Sequence, residues 1–366
     1  MIFYFAGIFI AFFSSFLILG KKRKNISDYV LSVWFFVIGL HLTLFIYIFS
    51  GEYLHFPGFL GIEKAFPFIH GPILYLYIES LTRQKLNKYW FLHFLTVVSI
   101  YCILYDFFIL PPEEKIEIYQ NEKSYLELRK ALNILMIISG IIYISLSFVS
   151  LKKYKNKISN QYSNLEKINL NWAYYLIIGM LIIWFCVITK NDILIFTSVV
   201  IFVLTAAYFG INKAGILNIS ELEINTLEEI QPEKKEVPVK YQKSLLSDEK
   251  IQLIYKKLVH KMESEKLYTD PELNLNLVSN LLEVHPNLLS QIINTVENKN
   301  FYDYVNTYRI KEFKRLAVLP ENEKFTILSL AFESGFNSKT SFNRNFKKYE
   351  NKSPKEFLKE QNLDLK

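Results

Sequence analysis

The pattern of apolar and polar positions divides the chain near Gly215. Before it, long apolar runs alternate with short polar breaks; after it, apolar residues recur at helical spacing in a polar background. The runs at 2–19, 30–49, 65–81, 90–110, 131–151, 172–189 and 193–211 approach the roughly 20 helical residues that cross a hydrocarbon layer of about 30 Å. They predict a bundle of seven transmembrane helices. The third run is the weakest, because Pro67 and Gly71-Pro72 are expected to break or kink its helix.

Beyond Gly215, residues 217–239 are charged, carry Pro232 and Pro238, and read as a tether. Ile251, Ile254, Leu258 and Met262 then fall on one face of a helix over 247–266, with Ser247 as its N-cap. Over 273–294, Pro286 suits the first turn of a helix that turns Asn287, Ser290 and Gln291 outward. A helix-turn-helix occupies 326–357: Ile327, Leu330 and Ala331 pack, Gly335 turns the chain, and a further helix begins near Asn337 or Ser338. Phe342, Phe346 and Tyr349 take its inner face. Lys339, Thr340, Asn343, Arg344 and Lys347 are left outside, the side-chain types that read base edges and phosphates in a major groove.

The run GFNSKTSFNRNFKKYENKSP closely resembles the second helix-turn-helix of the AraC/XylS transcription regulators, residues 273–294 resemble the first, and residues 301–319 look like the helix that connects them. The resemblance covers about Lys240 to Lys366 and implies two units joined by one helix, entering successive major grooves on one face of the DNA. It makes Asn287, Ser290 and Gln291 the first reading surface and Lys339, Thr340, Asn343, Arg344 and Lys347 the second, with Arg344 the leading candidate for a guanine contact. Arg309, in the matching Tyr308-Arg309-Ile310, reads as an internal salt-bridge partner. The first unit departs from the family pattern at Glu283, where a turn glycine is common, and at Ser279, where alanine is frequent.

Composition agrees with this division. A chain of 366 residues that is 51% hydrophobic and 16% aromatic is too apolar for one water-soluble body. With the N-terminus outside, 12 lysines and arginines fall in the inner loops and 6 in the outer ones, which satisfies the positive-inside rule. Seven spans then put the C-terminus in the cytoplasm, with DNA. Much of the net charge of +7 is membrane-flanking lysine and arginine, whereas Lys339, Arg344, Lys347, Lys348, Lys352, Lys355 and Lys359 form a local basic footprint.

No nucleotide-binding glycine loop, HExxH or GxSxG occurs, and no metal site or cofactor is indicated. Cys102 and Cys186 read as packing residues inside spans. Ionisable groups within spans carry two readings. His41 and Asp106 line a sensing cavity, or else His41 has an interior hydrogen-bond partner while Glu79, His93 and Asp106 reach water near span ends.

The whole reads as all-α: a transmembrane domain over 1–215, a linker over 216–239 and an AraC-type DNA-binding domain over 240–366. This is a regulator in the bacterial inner membrane, with double-stranded DNA and the lipid bilayer as partners. RNA polymerase, a second copy of the chain and an unidentified small ligand are further candidates. The competing reading is a transporter or membrane enzyme whose helix-turn-helix tail binds protein.

Overall fold

The computed structural model describes residues 2–83, 86–121, 124–189, 191–212 and 248–361. Among them the chain is helical, with one isolated β-bridge between Tyr162 and Asn274. It divides into two compact units. One holds the described residues up to Tyr154 and from Leu170 to Asn212; the other holds Lys155–Asn169 and the described residues from Asp248 onward. The expected linker over 216–239, and Ser247, lie outside the described residues.

The first unit contains α1 (Ile2–Leu19), α2 (Ile26–Phe49), α3 (Pro67–Arg83), α4 (Leu95–Ile103), α5 (Tyr105–Phe108), α6 (Pro112–Gln120), most of α7 (Leu126–Gln161), α8 (Ala173–Thr189) and α9 (Asp192–Asn212). Three of these, α2, α7 and α9, are long and apolar enough to cross a membrane. The remaining apolar helices are shorter. Asn25 and Asp28 form a capping box that starts α2. The buried Asp28 carboxylate also accepts from Lys21 Nζ at 2.6 Å, and that ammonium donates to the Gly210 carbonyl at 2.8 Å. One ion pair thereby satisfies a helix start and a helix end.

Leu31, Trp34, Phe35, Leu74, Tyr77, Leu176, Phe196 and Phe202 fill the interior of this unit. Gly39 lets α1 and α2 close up, since a Cβ there would sit 2.8 Å from the Phe12 ring, the small-residue approach common between membrane helices. The outside is equally apolar: Phe185 is 69% exposed, and Phe9 and Ile193 are 65% exposed. An apolar surface around an apolar core is what a lipid solvent selects.

Three expectations need correction. The helix predicted over 90–110 is split into a 3-10 turn (Trp90–Phe94), α4 and α5, with Leu104 leaving helical geometry at φ −84°, ψ 4°. No proline or glycine in that stretch announces the break. Conversely, α3 runs unbroken through Pro72. Pro67 starts the helix, where no amide donor is needed, and Pro72 removes a single rung. Cys186 is buried as a packing residue, but Cys102 is exposed.

The second unit is built on α13 (Phe301–Ala317), preceded by α10 (Asp248–Ser264), α11 (Leu275–Leu281) and α12 (Pro286–Glu297), and followed by α14 (Ile327–Glu333), α15 (Lys339–Glu350) and α16 (Pro354–Glu360). The first part of α13 gives Phe301, Tyr304 and Val305 to a core with Leu258, Met262, Val278, Leu289 and Ile293. Its second part gives Ile310, Phe313 and Ala317 to another core with Leu330, Phe336, Phe342 and Phe346. Arg309 lies at the changeover, 2% exposed. It makes no ion pair among the described residues. Instead Nε donates to Tyr268 O at 2.7 Å, Nη2 to Asp270 O at 2.7 Å and Ser163 Oγ at 3.1 Å, and Nη1 to Ser163 O at 3.1 Å. The salt bridge expected for it is thus a set of charge-assisted bonds to carbonyls. Burial draws its pKa down to about 10, so it keeps its charge at neutral pH.

Gly335 closes the turn between α14 and α15 at φ +95°, and a Cβ there would meet Tyr268 O at 2.2 Å and Arg309 Nε at 2.9 Å. Gly335→Ala adds a left-handed strain of about 1–2 kcal/mol to a backbone collision. We expect it to lower the opening free energy of α13 to α15 by at least about 2 kcal/mol, read as hydrogen exchange in the full-length protein; an unchanged value would refute this role.

Glu312, on α13, bonds Arg315 at 2.9 Å and Lys266 at 2.9 Å. The Arg315 bond chiefly, with help from Lys266, holds its carboxyl down at about 2 from the usual 4.5. A depressed carboxyl contributes stability in full above its unfolded pKa and loses it as pH falls towards the folded one. Urea midpoints of this unit should therefore fall between about pH 4.5 and 2. Glu312→Gln should start lower at neutral pH and decline less over that window; parallel curves would contradict the assignment.

Candidate nucleic-acid interface

Each reading helix is positioned by local sequence. Asn274 caps α11 through a bond from Leu277 N, and His285 Nδ1 accepts from Asn287 N to start α12 behind Pro286. Between them Glu283 takes φ +55°, so the position where a glycine is common does require left-handed backbone, and a glutamate bears the strain. Ser279, in the place often held by alanine, is buried and turns its hydroxyl back to Leu275 O at 2.7 Å. In the second unit Thr326 caps α14, and Ser338 caps α15 by accepting from Ser341 N at 3.1 Å. Ser353 and Glu356 form a capping box that starts α16 at the Ser-Pro.

On α12, Leu289, Ile292 and Ile293 are buried, Asn287 and Gln291 are exposed, and Ser290 is half-buried with its carbonyl accepting from Asn294 Nδ2 at 2.8 Å. Asn294 is exposed too, one further repeat along the outer face from Asn287. The same periodicity that singled out Asn287 and Gln291 extends to it. On α15, Phe342 and Phe346 are buried and Tyr349 packs against their cluster. Lys339, Thr340, Asn343, Arg344 and Lys347 are all exposed.

Arg344 is not loose. Its Nη2 donates to Tyr302 OH at 2.8 Å, and its guanidinium lies 5.9 Å from that ring's centre. The same hydroxyl accepts from the buried Asn345 at 2.7 Å. Tyr302, on the connecting helix, therefore pre-sets the arginine that the sequence favoured for base contact, and nothing in the spacing pointed to it. Of the local cations, Lys348 pairs with Asp303 at 2.6 Å, Lys352 pairs with Glu360, and Lys314 pairs with Glu350 at 2.9 Å. Lys339, Lys347, Lys355 and Lys359 have no ion pair among the described residues. The electrostatic footprint thus runs along the exposed faces of α15 and α16.

Residues 155–169 are part of this unit. Besides the Arg309 bonds to Ser163, Asn306 Nδ2 donates to Ser163 O at 3.1 Å, and the Glu166 carboxylate accepts from Ser338 Oγ, at the very start of α15. The sequence gives no local signal of this, because the partners lie more than a hundred residues apart.

In the first unit, His41 does have an interior partner, His70, at 2.9 Å. Asp106 is exposed on α5 and does not line the cavity that His41 lines. Glu79 does not reach water: it is buried and bonds Ser150 at 2.8 Å and Arg83 at 3.1 Å. His93 is half-buried against the Tyr143 hydroxyl at 3.2 Å.

No curated protein and no solved structure matches the chain. Residues 278–360 match the family described as helix-turn-helix domain, from within α11 to the end of α16, so that both reading helices and their connecting spine fall inside it. With two capped, outward-facing reading helices on that spine, the C-terminal region is a helix-turn-helix domain of the AraC type, the hallmark of a DNA-binding regulator.

Proposed function

We propose that the protein is a membrane-embedded, sequence-specific transcription regulator that contacts two adjacent major-groove half-sites. The observation that carries this is the pair of exposed polar faces, Asn287 with Gln291 and Lys339 with Asn343, Arg344 and Lys347, on two helices sharing α13. Amides suit adenine, and an arginine fork suits guanine. Ser290, half-buried, and Thr340 complete the two surfaces. The apolar exterior of the first unit and its three long apolar helices support insertion in a bilayer. The seven-span topology, with the C-terminal domain in the cytoplasm, rests on the pattern of charges flanking the spans.

The test is selection of genomic DNA by the full-length protein in lipid nanodiscs at physiological salt. We expect a two-part site of about 20 base pairs, set by half-sites one helical turn apart. Arg344→Ala should weaken it by roughly five- to a hundredfold, with specificity relaxed at one base. Equal enrichment by wild type and variant would reject base reading by this arginine; no enrichment by either would reject sequence-specific binding.

The same proposal gives residues 155–169 a role in coupling. They are the last turns of α7 and the first part of the loop that leads to α8, and Glu166 sits on the N-cap of α15, where a helix end favours an anion such as a DNA phosphate. Glu166 thereby competes with the DNA backbone, and a change in the membrane helices that withdraws the loop frees the reading helix. Glu166→Ala should tighten DNA binding roughly two- to fivefold, the worth of one charge at a helix N-terminus. Unchanged or weaker binding would dismiss the competition.

A further inference from the structure

Within the first unit lies a cavity of about 240 Å³ walled by α2, α3, α7, α8 and α9. Its walls are carbon almost throughout, with Phe196, Met180 and Trp184 among them; the exceptions are Trp34, His70 and His41 on one side and the Trp184 indole. These groups form a directed chain. Trp34 Nε1 donates to His70 Nδ1 at 3.3 Å, and His70 Nε2 lies 2.9 Å from His41 Nδ1.

An indole N–H can only donate. His70 Nδ1 must therefore be the acceptor, which puts the His70 proton on Nε2 and makes it the donor to His41. His41 Nδ1 accepts in turn, so its own proton resides on Nε2. Among the described residues His41 Nε2 has no partner, and neither has the Trp184 indole N–H. The cavity accordingly presents donors in an apolar shell, and no carboxylate, amide or hydroxyl side chain lines it to accept from them. A donor in an apolar shell without an acceptor is costly, and inside a bilayer water is a scarce remedy.

We propose that this cavity binds a small lipophilic molecule carrying a hydrogen-bond acceptor, a ketone, quinone or ester carbonyl, which accepts a hydrogen bond from His41 Nε2–H. Scaling from a cavity of about 150 Å³ that accepts benzene, the occupant has about ten non-hydrogen atoms. It carries no net charge, since nothing lining the cavity would pair with one. Because five helices form the wall, including the two that flank residues 155–169, an occupant changes how tightly α7 and α8 pack. Its role as the regulator's input rests on the function proposed above. The binding itself does not.

The experiment uses the full-length protein in nanodiscs and follows quenching of tryptophan fluorescence by bromine, since two of the four tryptophans line the cavity. The probes are para-bromoacetophenone and para-bromoethylbenzene, alike in size but with and without a carbonyl, compared at equal concentration in the bilayer. Saturable quenching is expected from both, with the ketone's midpoint lower by about two- to tenfold, the worth of one neutral hydrogen bond. His41→Leu should abolish that preference while leaving the hydrocarbon's midpoint in place. Val199→Phe, or the milder Val199→Met, should abolish or weaken saturation for both probes. Quenching linear in concentration and indifferent to these variants would mean partition into lipid and would overturn the site. A ketone preference that survives His41→Leu would overturn the donor. As no DNA is present, neither result bears on the reading helices.

Discussion

The C-terminal unit depends on one buried guanidinium. Arg309 sits where α13 passes from one hydrophobic core to the other, and its donors go to Tyr268, Asp270 and Ser163. Carbonyls hold no formal charge, so the arginine is stabilised by the number and geometry of its bonds, not by a counter-ion. That is an arrangement with little slack. The carbonyls must stay where the five donors can reach them, which fixes the turn after α10 against the spine. Gly335 then fits into the remaining space, close enough to Tyr268 O that no side chain is tolerated. The angle between the two reading helices is in this sense set from the centre outward.

Polar groups in the first unit follow the same economy. Asp28 meets Lys21, Glu79 meets Ser150 and Arg83, and Ser15 meets Ser32 at 2.9 Å. These groups are answered inside the bundle, whereas the buried Ser27 and Tyr77 hydroxyls have no hydrogen-bond partner among the described residues. The His41 and Trp184 donors, without partners among the described residues, line the cavity, and the exposed Asp106 does not.

Much of this was legible in the residues. Apolar runs located α1, α2, α3, α7, α8 and α9 to within a few residues at most of their ends, because a run long enough for a bilayer leaves little else for the backbone to do. The exception was the elongation of α7, whose polar ends, Leu126 to Lys130 and Lys152 to Gln161, continue the helix without an apolar signal. Periodicity divided α15 into its Phe342 and Phe346 face and its Lys339, Asn343 and Lys347 face, and the missing glycine at Glu283 pointed to a strained turn. Long-range partners were not legible. His70 for His41, Tyr302 for Arg344 and Ser163 for Arg309 are separated by 29 to 146 positions, and local pattern carries no information about such pairs. The break at Leu104 was also hidden, since the stretch around it is uniformly apolar.

Helix-turn-helix domains are usually treated as cassettes, exchanged between proteins by recombination with their boundaries at the nearest linker. Here the nearest linker would be the wrong place to cut. A fragment beginning after residue 239 leaves Ser163 behind, and with it two of the bonds to Arg309 and the group that holds Asn306. The C-terminal unit has in effect taken residues 155–169, which precede α8, as a structural element. The two halves of this chain are therefore bound to diverge together, and a chimera that joins this helix-turn-helix domain to another N-terminal domain has to carry residues 155–169 across with it.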